Sequence, residues 1–157
     1  GSIRLAGGGR RLDRVGLVLQ DPDQQLFAPT VAAECGFILK NRAVAGAERD
    51  RRIAAALQAV GLEDAAERLP MSLSYGEKRR LALASILVGR PPVLCLDEPT
   101  VGLDYDNLGR LQQQLRKHAD DGATILLATH DLAFARATAA RRLHLEQGRL
   151  TERGYDD

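Results

Sequence analysis

The sequence predicts an α/β domain built on a buried parallel sheet, and three observations carry that expectation. Short apolar runs at residues 15–19, 93–96 and 124–128 are too brief for helices and rich enough for strands covered on both faces. Each run stops abruptly at polar side chains: Gln20 after the first, Asp97 and Glu98 after the second, Thr129, His130 and Asp131 after the third. The stretches between carry apolar residues at helical spacing. Polar groups at the carboxyl ends of buried strands lie where an open α/β sheet places its ligand.

The run at residues 92–100 organises the rest. Asp97 and Glu98 are adjacent, so on an extended backbone they point to opposite sides and divide the work. One carboxylate serves a metal-bound phosphate, and the other polarises an attacking water. Taken alone, an Asp-Glu pair at a strand end is equally a solvated acidic turn, and only its company decides between the readings.

Length and composition set bounds. The chain has 157 residues, 45% hydrophobic and 27% charged, which suits one ordinary globular domain. With 22 Lys and Arg against 21 Asp and Glu, nothing in the charge calls for nucleic acid. The lysines are Lys40, Lys78 and Lys117 alone. Cys35 and Cys95 form no C-x-x-C pair and sit among apolar neighbours, so they read as buried free thiols in a reducing compartment. No run of eighteen apolar residues or signal peptide is present in the sequence.

Taken in order, residues 2–6 read as a strand followed by the glycine turn Gly7-Gly8-Gly9. A phosphate loop there requires a lysine followed by Ser or Thr, and none of the three lysines has that neighbour. The strand at 15–19 ends on Gln20-Asp21-Pro22; Gln20 is either a turn residue or, able both to accept and to donate, a sensor touching metal or water. Residues 24–27 are semi-apolar. Thr30 caps a helix running to Leu39, and a second helix over about 47–60 carries Ile53, Leu57 and Val60 before stopping at Gly61. This region reads as a helical subdomain inserted between strands.

Leu73-Ser74-Tyr75-Gly76-Glu77 introduces the next helix, over about 77–88. Its entrance presents free N–H groups and a positive dipole end, an anion site, although a serine there is equally an ordinary cap. Lys78, Arg79 and Arg80 run against the dipole and call for a negative partner. Beyond the central strand come a tight loop at 101–104 and a helix with Leu108, Leu111 and Leu115 on one face, ending near Gly122. The strand at 124–128, a short helix from Leu132 and a hairpin over 142–150 follow, and the tail 153–157 reads as disordered. His118 and His144 read as solvent-side residues; His130 differs, because it lies at a strand end.

Gln20, residues 73–77, residues 96–100, residues 102–104 and His130 resemble, in order and spacing, the motifs of the nucleotide-binding domain of ATP-binding cassette transporters. The resemblance covers nearly the whole chain. It implies a P-loop NTPase-like, RecA-like parallel sheet core with an inserted helical subdomain: residues 1–22 as partial core strands and Q-loop, 23–90 as the helical subdomain with the signature motif, 91–157 as core with Walker B, D-loop and H-loop. By that resemblance Gln20 is the Q-loop glutamine, contacting metal or water, and Ser74, Tyr75, Gly76 and Glu77 form the nucleotide-binding signature. Asp97 is the magnesium-associated carboxylate, Glu98 the general base, Asp104 the D-loop aspartate and His130 the γ-phosphate switch. ATP and Mg2+ are the implied ligands.

Two departures stand out. Tyr75 replaces the usual signature glycine, and the glycine-rich loop with its lysine is absent, so the chain reads as a cassette lacking its amino-terminal third. The expected sheet is then incomplete at that end, with exposed apolar edges and a tendency to self-associate.

Residues 20–27 with Thr30, Val31 and Glu34 resemble in particular the ATPase subunits of energy-coupling factor importers, which take up cobalt, nickel or vitamins. That implies a second ATPase subunit, identical or not, bound head to tail. It also implies transmembrane subunits docked on the 20–27 region, at the cytoplasmic face of the cell membrane. A non-catalytic cassette that lends Ser74 to a partner ATPase is the alternative. A chromosome-maintenance cassette fits poorly, because only about fifty residues, without sustained heptads, separate Gln20 from the signature.

Overall fold

The structure, a computed structural model, describes residues 14–154. The strand expected at 2–6, the glycine turn at 7–9 and the last three residues of the tail lie outside the described residues. Three strands form a parallel sheet in the order β1 (Val15–Val18), β2 (Val93–Asp97), β3 (Thr124–Ala128). Val18 pairs with Leu96 and Leu96 with Leu127, so the three carboxyl ends finish in one row. The strand bearing the two carboxylates is thereby the middle one, supported on both edges.

Sequence alternation decides which side of the sheet is covered. Val18, Leu94 and Leu96 face a core shared with Leu83, Leu87, Leu111, Leu115 and Phe134. Their neighbours Leu17, Cys95 and Leu126 pair in register on the opposite side, where Leu17 and Leu126 are 50% and 58% exposed. The expectation of strands buried on both faces is corrected here, since no described element packs over that side. Cys95 is accordingly half-buried, whereas Cys35 is fully enclosed.

A second core is helical. The helices α1 (Val31–Asn41) and α2 (Gly46–Ala59) pack Val31, Cys35, Leu57 and Val60 against Leu81, Ala82 and Ala84 of α3 (Tyr75–Leu87). Thr30 Oγ1 accepts from the Ala33 N–H at 3.1 Å and opens α1 as its sequence predicts. Glu34, buried within α1, accepts the N–H groups of Phe27 and Ala28 at 2.9 and 2.8 Å and so fixes the preceding loop. The other side of α3, with Leu83 and Leu87, belongs to the sheet core. A helix apolar around most of its circumference has to be central, and α3 joins the two cores.

The remainder closes the sheet core. Helix α4 (Tyr105–Asp120) buries Leu111 and Leu115, and α5 (Leu132–Thr138) buries Phe134. The hairpin strands β4 (Leu143–Glu146) and β5 (Arg149–Glu152) turn through Gln147 and Gly148, with φ of 47° and 77°. Two consecutive positive φ values give the tight turn whose twist matches the strands.

Two histidine expectations are corrected. His144 is the half-buried residue of its strand while Leu143 and Leu145 face outward, because the hairpin pairs apart from the main sheet. His118 is half-buried with both ring nitrogens enclosed and unbonded; burial holds its pKa below the usual value, opposed by the nearby Leu87 and Gln114 backbone.

Candidate functional site at the strand carboxyl ends

Gln20, Glu98 and Thr129 each stand two residues beyond the paired row Val18–Leu96–Leu127, and His130 one further. In-register parallel strands thus bring to one edge the polar residues that the sequence scatters over more than a hundred positions. Asp97, the last residue of β2, is exposed, and its carboxylate has no hydrogen-bonding partner among the described residues.

Glu98 departs from the extended backbone expected of it. Its φ is 44°, in the left-handed region that costs a non-glycine residue about 1 kcal/mol or more. Several bonds hold it there. Its N–H donates to the Ala128 carbonyl at 2.8 Å, and its own carbonyl accepts from the Arg79 guanidinium. The carboxylate accepts the Thr129 hydroxyl at 3.1 Å, the His130 N–H at 3.1 Å and His130 Nδ1 at 2.9 Å. The two carboxylates therefore diverge by a break in the strand and not by simple alternation.

The Glu98–His130 contact has a chemical consequence. The Glu98 carboxylate, by hydrogen bond and then by charge, raises the pKa of His130 above its ordinary 6.5. With Nδ1 committed to Glu98 and the side chain 78% exposed, the imidazolium offers Nε2–H outward to an anion. A carboxylate has about four acceptor positions. Three are used by these donors, which leaves Glu98 able to accept from a water.

The helix entrance at Ser74 is already capped from within. Ser74 Oγ accepts from the Glu77 N–H at 3.3 Å, while Glu77 Oε2 accepts from both the Ser74 N–H and hydroxyl at 2.7 Å. These Ser74 bonds, backbone first, hold the Glu77 pKa below its usual range. The N–H groups of Tyr75 and Gly76 have no partner among the described residues, so the entrance keeps two donors for an anion. Helix α3 starts at Tyr75, two residues earlier than the sequence suggested, because the capping box recruits that turn.

The basic trio finds its partners inside the chain. Lys78 pairs with Asp23 at 2.7 Å, Arg80 donates to the Val60 carbonyl at 2.9 Å, and the buried Arg79 donates to the carbonyls of Gln20 and Glu98. Among the described residues Lys78 alone of the three forms an ion pair, while the Arg80 charge helps to lower the Glu77 pKa without touching it. Asp104 caps α4, accepting from the Asn107 N–H at 2.9 Å. Tyr75 lies on Gly102, where an added Cβ would stand 3.1 Å from its ring, and its hydroxyl meets Arg79 at 3.2 Å.

No hydrogen bond among the described residues joins Ser74 to Glu98 or His130 directly. Sequence reasoning placed Thr129 at a strand end without giving it a role, and missed Arg79 as part of this edge. The helical spacing of Tyr75 and Arg79 was the available signal.

No group of three or more metal-ligating side chains occurs among the described residues. One free carboxylate suits magnesium that arrives on a nucleotide's phosphates, since that ion takes one or two carboxylates and keeps the rest of its shell for water and phosphate. Asp97 fits that role. A phosphate cradle with its lysine is not found in the sequence.

A parallel sheet whose strand ends gather Gln, Asp, Glu and His, beside a helix capped by Ser74 and Glu77, is the arrangement of an ATP-binding cassette type of domain. A structure of the ATP-binding subunit of an ABC transporter superposes with a TM-score of 0.82 at 24% identity, over 92% of this chain and 60% of that one, which establishes the fold. The ABC transporter family profile matches residues 9–101, and the chain belongs to that family.

Among its relatives, the energy-coupling factor transporter ATP-binding protein EcfA of Methanothermobacter thermautotrophicus is 37% identical over 141 residues, spanning 90% of this chain and 45% of the relative. The EcfA of Methanocaldococcus jannaschii is 38% identical over 140 residues, spanning 89% and 50%. The chain thus spans about half the length of these curated relatives. The structure of cbiO1 from Clostridium perfringens, part of the ABC transporter complex cbiONQ, matches at 34% identity and a TM-score of 0.76, covering 89% of this chain and 56% of that one. The dimeric, post-hydrolysis ATP-binding cassette MJ0796 bound to ADP and Pi matches at 31% and 0.79, over 92% and 65%.

Proposed function

We propose that this chain is the signature-bearing and hydrolytic part of an ATP-binding subunit that energises import of a metal ion or vitamin through membrane partners. The observation that carries this reading is the Glu98–His130 pair at the common strand edge, with Asp97 free beside it. Asp97 would hold magnesium, which when bound supplies charge neutralisation between phosphates. Glu98 accepts from water, His130 donates outward through Nε2, and Gln20 senses water or metal. Ser74, Tyr75, Gly76 and Glu77, with Asp104 in the neighbouring loop, would face the nucleotide of a second ATPase subunit bound head to tail.

The membrane partner would meet the 20–27 loop at the cytoplasmic face. Beside that loop a groove of about 680 Å³ is lined by Gln25, Phe27, Phe37 and Ile38. Phe27 and Phe37 stand edge to face at 4.8 Å and are 66% and 47% exposed, apolar contacts suited to a partner helix. No described helix is long and apolar enough to cross a membrane.

In the complete protein, Glu98→Gln is expected to lower ATP turnover at least about a hundredfold. Turnover within tenfold of the parent would defeat the assignment of Glu98 as base. The 157-residue chain, without a lysine loop, is expected to show no micromolar Mg-ATP binding by titration calorimetry, and such binding would refute that part.

A second reading is favoured by the intact Ser74 capping box in a sequence without that lysine. Here the chain lends its signature to a partner ATPase. It predicts stimulation of the partner's hydrolysis that Ser74→Arg removes.

A further inference from the structure

Arg79 is 6% exposed and has no carboxylate against it. A buried guanidinium without a counter-charge is expensive unless its donors are taken, and its acceptors here come from three separate segments. Nη1 donates to the Gln20 carbonyl and meets the Tyr75 hydroxyl at 3.2 Å, while Nη2 donates to the Glu98 carbonyl. The Tyr75 ring lies 5.8 Å from the guanidinium carbon, and the same ring rests on Gly102.

Besides the Glu34 bonds that hold its far end to α1, the loop after β1 is tied toward α3. Gln25 donates to the Ala82 carbonyl at 2.9 Å and Asp23 pairs with Lys78. Among the described residues, Arg79 alone bonds both that loop and the strained turn at Glu98.

We propose that Arg79 is a positioning residue that couples the loop at residues 20–27 to Glu98, so that displacing the loop loosens the Glu98 turn. The roles of the loop as docking segment and of Glu98 as base rest on the function proposed above. The coupling itself is physical and does not depend on them. A planar fork spanning two carbonyls transmits displacement because neither bond survives a shift of one acceptor relative to the other. The left-handed turn at Glu98 is poised to respond, since its conformation persists only while its bonds over-determine it.

Hydrogen–deuterium exchange on the intact chain, read by mass spectrometry and needing no nucleotide, tests this. Asp21 opens the loop's turn by accepting from the Asp23 N–H at 3.1 Å and the Gln24 side chain at 3.2 Å, so Asp21→Ala displaces the loop without touching Glu98. In the parent, Asp21→Ala is expected to accelerate exchange of residues 98–101 and 129–131 roughly five- to tenfold, with the α4 amides, which have no bond to the loop, as internal reference.

In an Arg79→Lys background, where an ammonium serves one carbonyl at a time, those segments exchange fast from the outset and Asp21→Ala adds less than about twofold. Arg79→Met is expected to match. If it does not fold, Arg79→Lys carries the test, and Tyr75→Phe, which removes only the hydroxyl contact to Nη1 and leaves both carbonyl bonds, is expected to respond as the parent does.

An Asp21→Ala effect that reaches residues 98–101 equally with and without Arg79 overturns the proposal. So does uniform acceleration that includes α4, the mark of a merely structural role. Loss of ATP turnover in Glu98→Gln bears on the function and not on this coupling, so the two can fail separately.

Discussion

His130 is where solution chemistry meets the site most directly. Its folded pKa is raised above 6.5 by the Glu98 carboxylate. The contact therefore contributes stability fully below the unfolded value, and that contribution is lost as pH rises through the folded pKa. Nuclear magnetic resonance titration of the His130 ring is expected to give a pKa above 6.5, and Glu98→Gln to bring it back toward that value. An unchanged titration in the variant would show that the contact does not form in solution.

At Cys35, burial and then the Glu34 charge push the thiol pKa up to about 12, so the thiol stays protonated and inert at neutral pH. Gln20, Asp97, Glu98 and His130 were legible from their order behind apolar runs. Arg79 was not: its spacing from Tyr75 was the one signal, and which member of the basic trio turns inward depends on carbonyls supplied by the turns after β1 and β2.

Helix α3 and strand β1 approach each other closely, and a glycine permits it. A Cβ on Gly16 would stand 2.5 Å from Ile86 Cγ2 and 2.8 Å from Pro91 Cγ. Gly16→Ala is expected to destabilise the fold by about 1–3 kcal/mol in urea unfolding. Gly109 sits within α4 with nothing within 4 Å of an added Cβ, so Gly109→Ala is expected to stabilise by about 0.5–1 kcal/mol. Opposite signs from the same substitution separate close packing from chain entropy. Equal signs would refute the packing argument.

The strands and helices follow the sequence closely, since period and caps are local properties; Thr30, Ser74, Asp104 and Asp131 all accept from the helix they precede. The start of α3 was placed late, because the reach of Glu77 back to Ser74 is a contact and not a pattern.

Taken as a body, the described residues leave an apolar sheet face open at Leu17, Cys95 and Leu126, and the edges of β1 and β3 carry no further described strand. Apolar area of that kind drives association. The 157-residue chain is expected to self-associate in light scattering, and Leu17→Thr with Leu126→Thr to reduce it; a parent that stays monomeric at all concentrations would disprove this.

The order of polar residues behind apolar runs was enough to specify the class of fold and the residues at the strand tips, because strand direction and side-chain period are written locally, and the resemblance of the motifs added the family. Register was not, nor the left-handed turn at Glu98, nor the inward path of Arg79. Those depend on hydrogen bonds between segments far apart in the chain, and only folding brings their donors and acceptors within reach.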